Sequence, residues 1–540
     1  MRYGFIIDQD SCIGCHACTV ACKTEHQVPL GVNRTWVKYI EKGAWPDTGR
    51  FFSVMRCNHC TDAPCVEICP TTALFKRDDG IVDFDTDRCI GCKSCMQACP
   101  YDALYIDPGE HTAQKCNYCV HRIEVGLEPA CVVVCPTEAI IAGDLDDATT
   151  KIATWVAGET LYQRAPEQGT KPNLWYKGVE PESIDPLGAE RPDDGGIWQD
   201  PPGIEQSWLS VDLTSVTPDT YQPEPTAPRV AAANGHPARV VYANKFPMPW
   251  GWRVSSYFLT KGIAAGIAIA ALVALLFGAG LETIWMRWAA PLVAGLLLLG
   301  TGALLVADLK RPDRFFYLLT KGNPGSWLVR GTWILGAYGL VLGIWFLAGV
   351  ADQRDVVRVA IGVAAVVAVA VAGYTAFLFA QAEARDLWQS PLLLWHMLAG
   401  ALVAGGGLSL VASAVNSEIS KLLGQAAAMA ASTLQPGTEG SAWTMLVGAV
   451  VVALLAVIEL RSSHPTRNAA EAYHHMTRGA FATEWWSGLA LAAVVPLVLA
   501  MAVLGGGTVW LGALGGLAGM AGIWLMDDAF VKAGQSVPLS

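Results

Sequence analysis

Apolar side chains dominate the second half of the chain in runs long enough to cross a membrane. A helix of about 20 residues spans a hydrocarbon core of ~30 Å, because each residue rises about 1.5 Å. The pattern therefore predicts an all-α polytopic membrane domain over residues 251–540, with a further helix at the membrane surface over 418–434. The eight predicted transmembrane helices cover 255–278, 289–309, 326–349, 356–380, 391–415, 441–460, 484–505 and 507–526.

The first half of the chain shows a different pattern. Short strand-like segments alternate with groups of cysteines, which predicts an α+β domain over residues 1–150. Residues 151–250 contain 14 of the 30 prolines of the chain. This stretch is predicted to be a Pro-rich extended connector that lies on a protein surface. The strand-like segments are Tyr3–Ile7, Ile81–Phe84, Leu104–Ile106 and Ala139–Ala142.

Composition and charge narrow the classes of function. Only 16% of the 540 residues are charged, whereas a soluble domain has about 25%, so a single soluble domain is excluded. The formal net charge of −11 argues against a nucleic-acid binder. The residues before Cys12 contain no basic start and no apolar run, so we expect no secretory signal.

All 16 cysteines lie in the first 150 residues, in four groups of four. Scattered pairs would indicate disulfides, whereas three thiolates on one tight loop can ligate three irons of a single cubane cluster. The fourth cysteine of such a group typically ligates the other cluster of a pair. The groups are Cys12-x2-Cys15-x2-Cys18-x3-Cys22, Cys57-x2-Cys60-x4-Cys65-x3-Cys69, Cys89-x2-Cys92-x2-Cys95-x3-Cys99 and Cys116-x2-Cys119-x11-Cys131-x3-Cys135.

Zinc is the alternative metal for grouped cysteines. Zinc ribbons place two C-x2-C pairs far apart and do not pack four cysteines as closely as residues 12–22 do. The spacing therefore favours iron and sulfide, and 16 ligands suffice for four 4Fe–4S clusters. Because each cluster takes one electron, this domain is predicted to conduct electrons rather than to make or break bonds.

Residues 1–145 resemble the four-cluster iron–sulfur subunits of molybdenum oxidoreductases, such as dimethyl sulfoxide reductase, polysulfide reductase and membrane formate dehydrogenases. The resemblance rests on two pairs of ferredoxin-like motifs and on the long gap in the fourth motif. It implies that the first motif cross-ligates with the fourth and the second with the third. The implied ligand sets are Cys12/Cys15/Cys18/Cys135, Cys116/Cys119/Cys131/Cys22, Cys57/Cys60/Cys65/Cys99 and Cys89/Cys92/Cys95/Cys69.

Polar residues inside the predicted membrane helices gather toward the end that faces the cysteine domain. The far halves, for example 267–277, 361–371 and 492–504, contain no ionisable group. Charged groups in a bilayer are costly and are commonly functional. A quinone headgroup needs hydrogen-bond donors, proton carriers and a nearby electron source, which such a polar layer offers. The candidates for quinone binding or proton transfer are Tyr257, Lys261, Asp308, Arg330, Tyr374, His396 and Glu484.

Structural alternatives stay open for these candidates. Asp308, Arg330 and Glu484 lie close enough to helix ends to be interfacial caps or salt-bridged surface groups. Lys261 can extend its ammonium group to the interface, and His396 can be a hydrogen-bonded core residue. Because His396 is also the one histidine inside a predicted span, haem b, which needs facing axial histidines, is not expected.

The membrane half resembles the NrfD/PsrC-type anchors, which are haem-free quinone-binding helical proteins. The resemblance implies a quinone site at the cluster-facing end and a headgroup-donor role for Tyr374. Lys261 stands where such proteins place a polar first-span residue, although they have His or Asn there. The segments that carry the resemblance are 256–266, 307–333, 373–394 and 485–496.

Basic residues in the short loops predict the orientation. The loops on the side of the cysteine domain carry nine Lys or Arg residues and the opposite loops carry four. This bias predicts a multi-pass protein of the inner (cytoplasmic) membrane with the cysteine domain on the cytoplasmic face. The alternative is that a folded partner carries this domain across the membrane.

Together these features predict a fusion of an electron-transfer subunit with its quinone-reactive membrane anchor. The resemblance implies a separate molybdenum or tungsten bis-pterin catalytic subunit as partner, and menaquinone or ubiquinone as the membrane carrier. Two alternatives stay open. In the first, the chain is a subunit of an energy-converting quinol-oxidising complex similar to alternative complex III. That function needs a buried acidic path to the opposite side of the membrane, and the far halves of the helices argue against it. In the second, the chain is a passive anchor that binds no quinone.

Overall fold

The computed structural model describes residues 1–44, 47–191, 238–244, 248–422 and 436–540. Its strands are β1 (Tyr3–Asp8), β2 (Thr35–Ala44), β3 (Asp47–Arg56), β4 (Leu74–Lys76), β5 (Val82–Phe84), β6 (Tyr105–Ile106), β7 (Ala113–Gln114), β8 (Ile140–Asp144), β9 (Leu174–Lys177) and β10 (Arg239–Tyr242). The helices before the membrane domain are α1 (Ala17–Glu25), α2 (Pro64–Glu67), α3 (Ser94–Ala98), α4 (Val120–Ile123), α5 (Ala130–Val133), α6 (Lys151–Gly158) and α7 (Pro181–Ile184).

The membrane domain is entirely helical in its described residues. Its helices are α8 (Trp252–Leu276), α9 (Ala290–Asp308), α10 (Tyr317–Thr320), α11 (Trp327–Val350), α12 (Arg354–Ala380), α13 (Leu393–Leu422), α14 (Pro436–Arg461), α15 (Arg467–Thr477), α16 (Ala482–Leu489), α17 (Val495–Leu504) and α18 (Val509–Ser536). A π-helical turn, Trp285–Ala289, leads into α9, and another, Ala490–Val494, joins α16 to α17.

Two three-stranded sheets form the framework of the cysteine-rich domain. One has the strand order β8-β1-β9 and the other β10-β2-β3. In the first sheet, Ile6 pairs with Ile141 across an antiparallel ladder, and both side chains are buried. The two short hairpins β4–β5 and β6–β7 lie between the cysteine groups. The predicted α+β architecture is therefore correct for this domain.

The predicted connector contributes two strands to these sheets. β9 pairs in parallel with β1, and β10 pairs with β2 in antiparallel orientation. On β9, the buried Leu174 and Tyr176 alternate with the partly exposed Trp175 and Lys177. These two segments are therefore sheet strands rather than extended linker: the alternation buries one face of β9, and Val240 and Val241 of β10 are both buried. Residues 192–237 lie outside the described part of the chain.

Eight helices of the described chain are long and apolar enough to cross a membrane, as the apolar runs predict. The last one differs most from expectation, because α18 continues to Ser536 instead of ending at residue 526. Its polar end is stabilised by Asp528, which accepts a hydrogen bond from Ser255 (2.8 Å) and pairs with Lys532 (2.6 Å). The predicted surface helix begins as a continuation of α13, and its residues 423–435 lie outside the described ranges.

The membrane helices form two groups around separate cores. α8, α9, α11 and α12 enclose a core that includes Ile267, Tyr338 and Trp345. The core among α13, α14, α17 and α18 includes Val403 and Met445. The two groups pack closely where α8 crosses α13, at glycines that leave room for backbone contact.

The cysteine-rich domain sits directly on one end of the membrane helices. Asp308, at the end of α9, pairs with Lys93 at 2.7 Å. In the loop that follows, Arg314 donates to the carbonyl of Cys89 at 3.1 Å, and the Asn323 backbone N–H donates to that of Pro70 at 2.7 Å. This loop therefore fixes the cysteine motifs relative to the membrane helices.

Candidate functional site

The structure brings cysteines of different motifs close together. Cys22 has Cys116, Cys119 and Cys131 as its thiol neighbours, and Cys12 has Cys15 and Cys135. The other half of the domain shows a similar arrangement. Cys65 has Cys57, Cys60 and Cys99 as neighbours, and Cys95 has Cys69, Cys89 and Cys92 in addition to Cys65. Cysteines of the first motif therefore lie near those of the fourth, and cysteines of the second lie near those of the third.

The same backbone turn recurs in all four motifs. The residue before the second cysteine has a positive φ in each: 68° at Gly14, 44° at His59, 67° at Gly91 and 62° at Tyr118. Such turns direct successive backbone N–H groups into a concave space that suits anionic groups. In two of the motifs a turn N–H reaches a thiol: His59 N lies 3.5 Å from Cys57 Sγ, and Gly91 N lies 3.4 Å from Cys89 Sγ.

The chemistry of the donors suits iron–sulfur clusters. The groups that converge are thiols, and backbone N–H groups reach the Sγ atoms of Cys57, Cys69 and Cys89. Cluster sulfurs accept hydrogen bonds of this kind. These residues therefore fit 4Fe–4S clusters.

Burial disfavours the thiolate form of these cysteines unless a positive group is present. It raises the pKa of Cys18 to about 11 and the pKa values of Cys92 and Cys119 to about 12. Iron supplies the compensating charge when a cluster is bound, because a metal-coordinated thiol is deprotonated. The protein adds Arg56, which is fully buried and whose Nη1 lies 3.1 Å from Cys131 Sγ.

A cavity lies between the cysteine-rich domain and the membrane helices. Cys92 and Ser94 line it on the side of the domain, and Tyr257, Asp308 and Tyr374 line it from the helices. Most of its remaining wall is apolar and comes from α9, α11 and α12 and from the segment before α8. The cavity therefore places polar donors, an apolar wall and a cysteine of one set around a single space. We name it the cluster-side cavity.

Lys261 lies behind this cavity and stays inside the protein. Its ammonium group donates to the Ala372 carbonyl (2.9 Å) and to Thr375 Oγ1 (2.6 Å), and it lies 4.9 Å from the centre of the Tyr374 ring. The side chain is only 1% exposed. It therefore does not extend to the membrane interface, which was the alternative considered from the sequence.

Three other candidates lie at helix ends, in contacts typical of caps or ion pairs. Asp308 is held by Lys93, as described above. Arg330 is exposed, stacks on the Trp327 ring and donates to the Pro324 carbonyl at 2.7 Å. Glu484 pairs with Lys532 at 3.3 Å. Neither Arg330 nor Glu484 lines the cluster-side cavity.

His396 lies in a second cavity, among α13, α14, α16 and α18. Its Nε2 is 3.5 Å from Glu459 Oε2 without making a hydrogen bond. Asp527 also lines this space and interacts electrostatically with Lys261. Sequence analysis missed Asp527, because the predicted eighth helix ended one residue before it. The sequence did contain a signal for Asp527, namely the pair of aspartates, Asp527 and Asp528, that directly follows the eighth apolar run.

Family models match both halves of the chain. The model described as "Polysulphide reductase, NrfD" matches residues 240–535. Two models described as "4Fe-4S dicluster domain" match residues 11–74 and 49–145.

Curated relatives match the cysteine-rich half. A tetrathionate reductase subunit of Salmonella typhimurium is 42% identical over 204 residues, 37% of this chain and 80% of the relative. The iron–sulfur subunit of a putative dimethyl sulfoxide reductase of Halobacterium salinarum is 39% identical over 32% of this chain and 78% of its own length. A polysulfide reductase polypeptide of Wolinella succinogenes is 42% identical over 32% of this chain and 93% of its own length.

Proposed function

We propose that this chain, which belongs to the NrfD polysulphide reductase family, exchanges electrons between a separate pterin-dependent catalytic subunit and the membrane quinone pool. The family and its relatives make the chain an iron–sulfur electron-transfer subunit fused to an NrfD membrane anchor. One observation carries the proposal beyond that. A single cavity is bounded by Cys92 on one side and by membrane-helix tyrosines on the other.

We assign the 16 cysteines to four 4Fe–4S clusters. The proposed ligand sets are Cys12/Cys15/Cys18/Cys135, Cys116/Cys119/Cys131/Cys22, Cys57/Cys60/Cys65/Cys99 and Cys89/Cys92/Cys95/Cys69. The thiol neighbourhoods and the four repeated turns support this assignment. When bound, such clusters supply one-electron transfer without bond chemistry. The chain itself contributes the thiolates, the N–H donors and the buried cation of Arg56.

The cluster-side cavity is proposed to bind the quinone headgroup. Tyr257 and Tyr374 are only 3% and 4% exposed, and both phenols have Thr375 as a polar neighbour. A quinone carbonyl accepts hydrogen bonds, and a buried phenol is a suitable donor. Asp308, held by Lys93, positions the end of α9 beside this space. Leucines of α9, α11 and α12 supply the apolar wall that a quinone and its isoprenoid tail need.

Substitution of the tyrosines tests this site. Tyr374→Phe removes one donor, so it is expected to weaken binding of the quinone analogue menadione by about tenfold, the effect of one hydrogen bond. The matched control is Tyr338→Phe. Tyr338 is also fully buried but donates to the Ala264 carbonyl outside the cavity. Menadione-driven reoxidation of the reduced, anaerobically purified chain measures the effect. Equal rates in both variants would favour the passive anchor.

The catalytic partner is proposed to dock at the set formed by Cys12, Cys15, Cys18 and Cys135. Cys15 is exposed, whereas most cysteines of the other sets are buried. Ile13, Val133 and Val134 are exposed beside it, and exposed apolar groups of this kind mark interaction surfaces. Val133→Asp is expected to abolish co-purification of a molybdenum or tungsten subunit while the iron content stays unchanged. Retention of that subunit would contradict the placement.

The iron–sulfur domain is proposed to face the cytoplasm. The argument is the excess of Lys and Arg in the loops on its side of the membrane. A reporter that is active only in the cytoplasm, fused after Ser540, is expected to be active. Activity only of a reporter specific for the opposite compartment would show that a partner exports the domain.

A further inference from the structure

The second cavity and Lys261 belong to one connected arrangement of polar groups. A smaller space adjoins the second cavity and shares His396, Gly400, Ile523 and Asp527 with it. Lys261 lines this smaller space as well. The two spaces therefore join the second helix group to the residue that stands behind the cluster-side cavity.

The outer end of this arrangement lies near the surface on the cluster side. Tyr473, on α15, has Glu459 and the exposed Arg478 as its charged neighbours. Glu459 in turn lies 3.5 Å from His396, whose buried Nε2 has no hydrogen-bond partner. An unpartnered buried nitrogen is costly, and it faces a space large enough for water.

The inner end reaches the proposed quinone site through Lys261. Its ammonium group contacts Thr375 Oγ1 at 2.6 Å and the face of the Tyr374 ring. The charged and titratable groups around Asp527 are Lys261 and Tyr257 from α8, His396 from α13, Glu459 from α14 and the chain neighbour Asp528. Asp528 is occupied by Ser255 and Lys532. Glu459 lines only the second cavity, so Asp527 is the carboxylate that lines both connected spaces.

We infer that Asp527 and Lys261 carry quinone protons sideways through the membrane domain, from the cluster-side cavity to His396 and Glu459 on the same side of the membrane. This inference rests on the proposed quinone function and adds its proton route. The proposed route does not use the apolar far halves of the helices, and it does not cross the bilayer.

The route balances protons and electrons. Oxidation of one quinol releases two electrons to the iron–sulfur domain and two protons. For each proton, the Lys261 ammonium protonates the Asp527 carboxylate. The resulting amine takes a proton from the Thr375 hydroxyl, which regains one from the Tyr374 phenol, and the phenol regains one from the quinol hydroxyl. Asp527 then gives its proton, through water, to the His396 imidazole, which passes it to Glu459 and the solvent. Quinone reduction takes up two electrons and two protons by the reverse steps.

Asp527→Asn tests the route against Asp528→Asn, its neighbour of the same chemistry. The full chain is purified without oxygen, reduced with stoichiometric dithionite and mixed with menadione, and the reoxidation rate is followed in H2O and in D2O. A positioned acid–base group typically contributes 10²-fold or more. We therefore expect Asp527→Asn to slow reoxidation by about 100-fold with a larger solvent isotope effect, and Asp528→Asn to leave the rate within about threefold. Asp527→Glu, which keeps the carboxyl group, is expected to restore most of the rate.

The outcomes separate this route from the quinone site itself. A wild-type rate and isotope effect in Asp527→Asn would overturn the route. Weaker menadione binding by Asp527→Asn with an unchanged isotope effect would also overturn the route, since that pattern would indicate that Asp527 has only a structural role. Glu459→Gln is the second variant should Asp527→Asn fail to fold, and it too is expected to react more slowly than wild type. If the wild-type chain does not react with menadione, the quinone function fails and this route fails with it.

Discussion

Arg56 shows how one buried charge can adjust the iron–sulfur sites. Its guanidinium lies 3.1 Å from Cys131 Sγ, has Cys18 and Cys116 as further thiol neighbours, and stacks 4.6 Å from the Phe5 ring centre. These thiols come from two of the proposed ligand sets. A cation at this position favours the reduced, more negative state of both clusters.

Arg56→Met is therefore expected to lower the reduction potentials of these two clusters by tens of millivolts, about 60 mV for a tenfold change in a one-electron equilibrium. A redox titration followed by electron paramagnetic resonance measures the shift. Arg50→Met is the control, because Arg50 lies on the same strand but forms a surface pair with Glu41. If the clusters had equal reduction potentials in the two variants, Arg56 would contribute packing but no electrostatic effect on the clusters.

At the residue scale, prediction from the sequence worked where the chemistry is written in local spacing. The cysteine motifs predicted the 4Fe–4S character of the domain, which the family models confirm, since a C-x2-C loop is a local structure. The assignment of cysteines to individual clusters came from the family resemblance and stays a prediction. Arg56 could not be found in this way, because its thiol partner is 75 residues away in the chain. The same holds for Asp527, whose partner Lys261 is on the first membrane helix.

At the scale of elements, the crossing of α8 and α13 holds the two helix groups together. A Cβ at Gly266 would come within 1.9 Å of the Ala401 carbonyl oxygen, and one at Gly405 within 2.0 Å of the Gly266 backbone. No side chain fits there without separating the helices. Gly262 lies one turn earlier on α8, and the nearest atom to a Cβ there is 3.9 Å away.

Gly266→Ala is therefore expected to destabilise the membrane domain by about 1–3 kcal/mol, the usual cost of overpacking. Gly262→Ala is the matched control and is expected to leave stability unchanged or slightly higher, since alanine favours helix. The midpoint of thermal unfolding of the detergent-solubilised chain measures both. Equal midpoints would show that the helices separate more easily than their backbone contact indicates.

The elements themselves were predicted with uneven success. The eight apolar runs predicted the membrane helices, because a bilayer demands length and apolarity from a single segment. The end of α18 was not predicted, because Asp528 and Lys532 break the apolar pattern of the sequence. In the structure, Ser255 contacts Asp528 and Glu484 contacts Lys532, and these contacts stabilise the two charged groups. β9 and β10 were missed because their partners β1 and β2 lie far away in the chain.

At the scale of the whole molecule, the fusion packs the cysteine motifs directly against the membrane helices. Trp250, just before α8, shares a hydrophobic core with cysteines of the second and third motifs, with Phe379 and with Trp388. The Trp250 indole also donates to the Cys92 carbonyl at 3.2 Å. The contact between an electron-carrying domain and a membrane cavity is therefore built within one chain rather than between two subunits.

The central claim is that this chain alone passes electrons between iron–sulfur clusters and a quinone. The most direct measurement is a stoichiometric titration of the anaerobically purified full chain in lipid nanodiscs. Iron and sulfide are determined first, and the fully reduced protein is then titrated with menadione. The account predicts one iron and one sulfide for each of the 16 cysteines, and complete reoxidation by about two menadione molecules per chain, since four one-electron clusters match two quinones. Zinc in place of iron, or clusters that stay reduced in the presence of menadione, would contradict it.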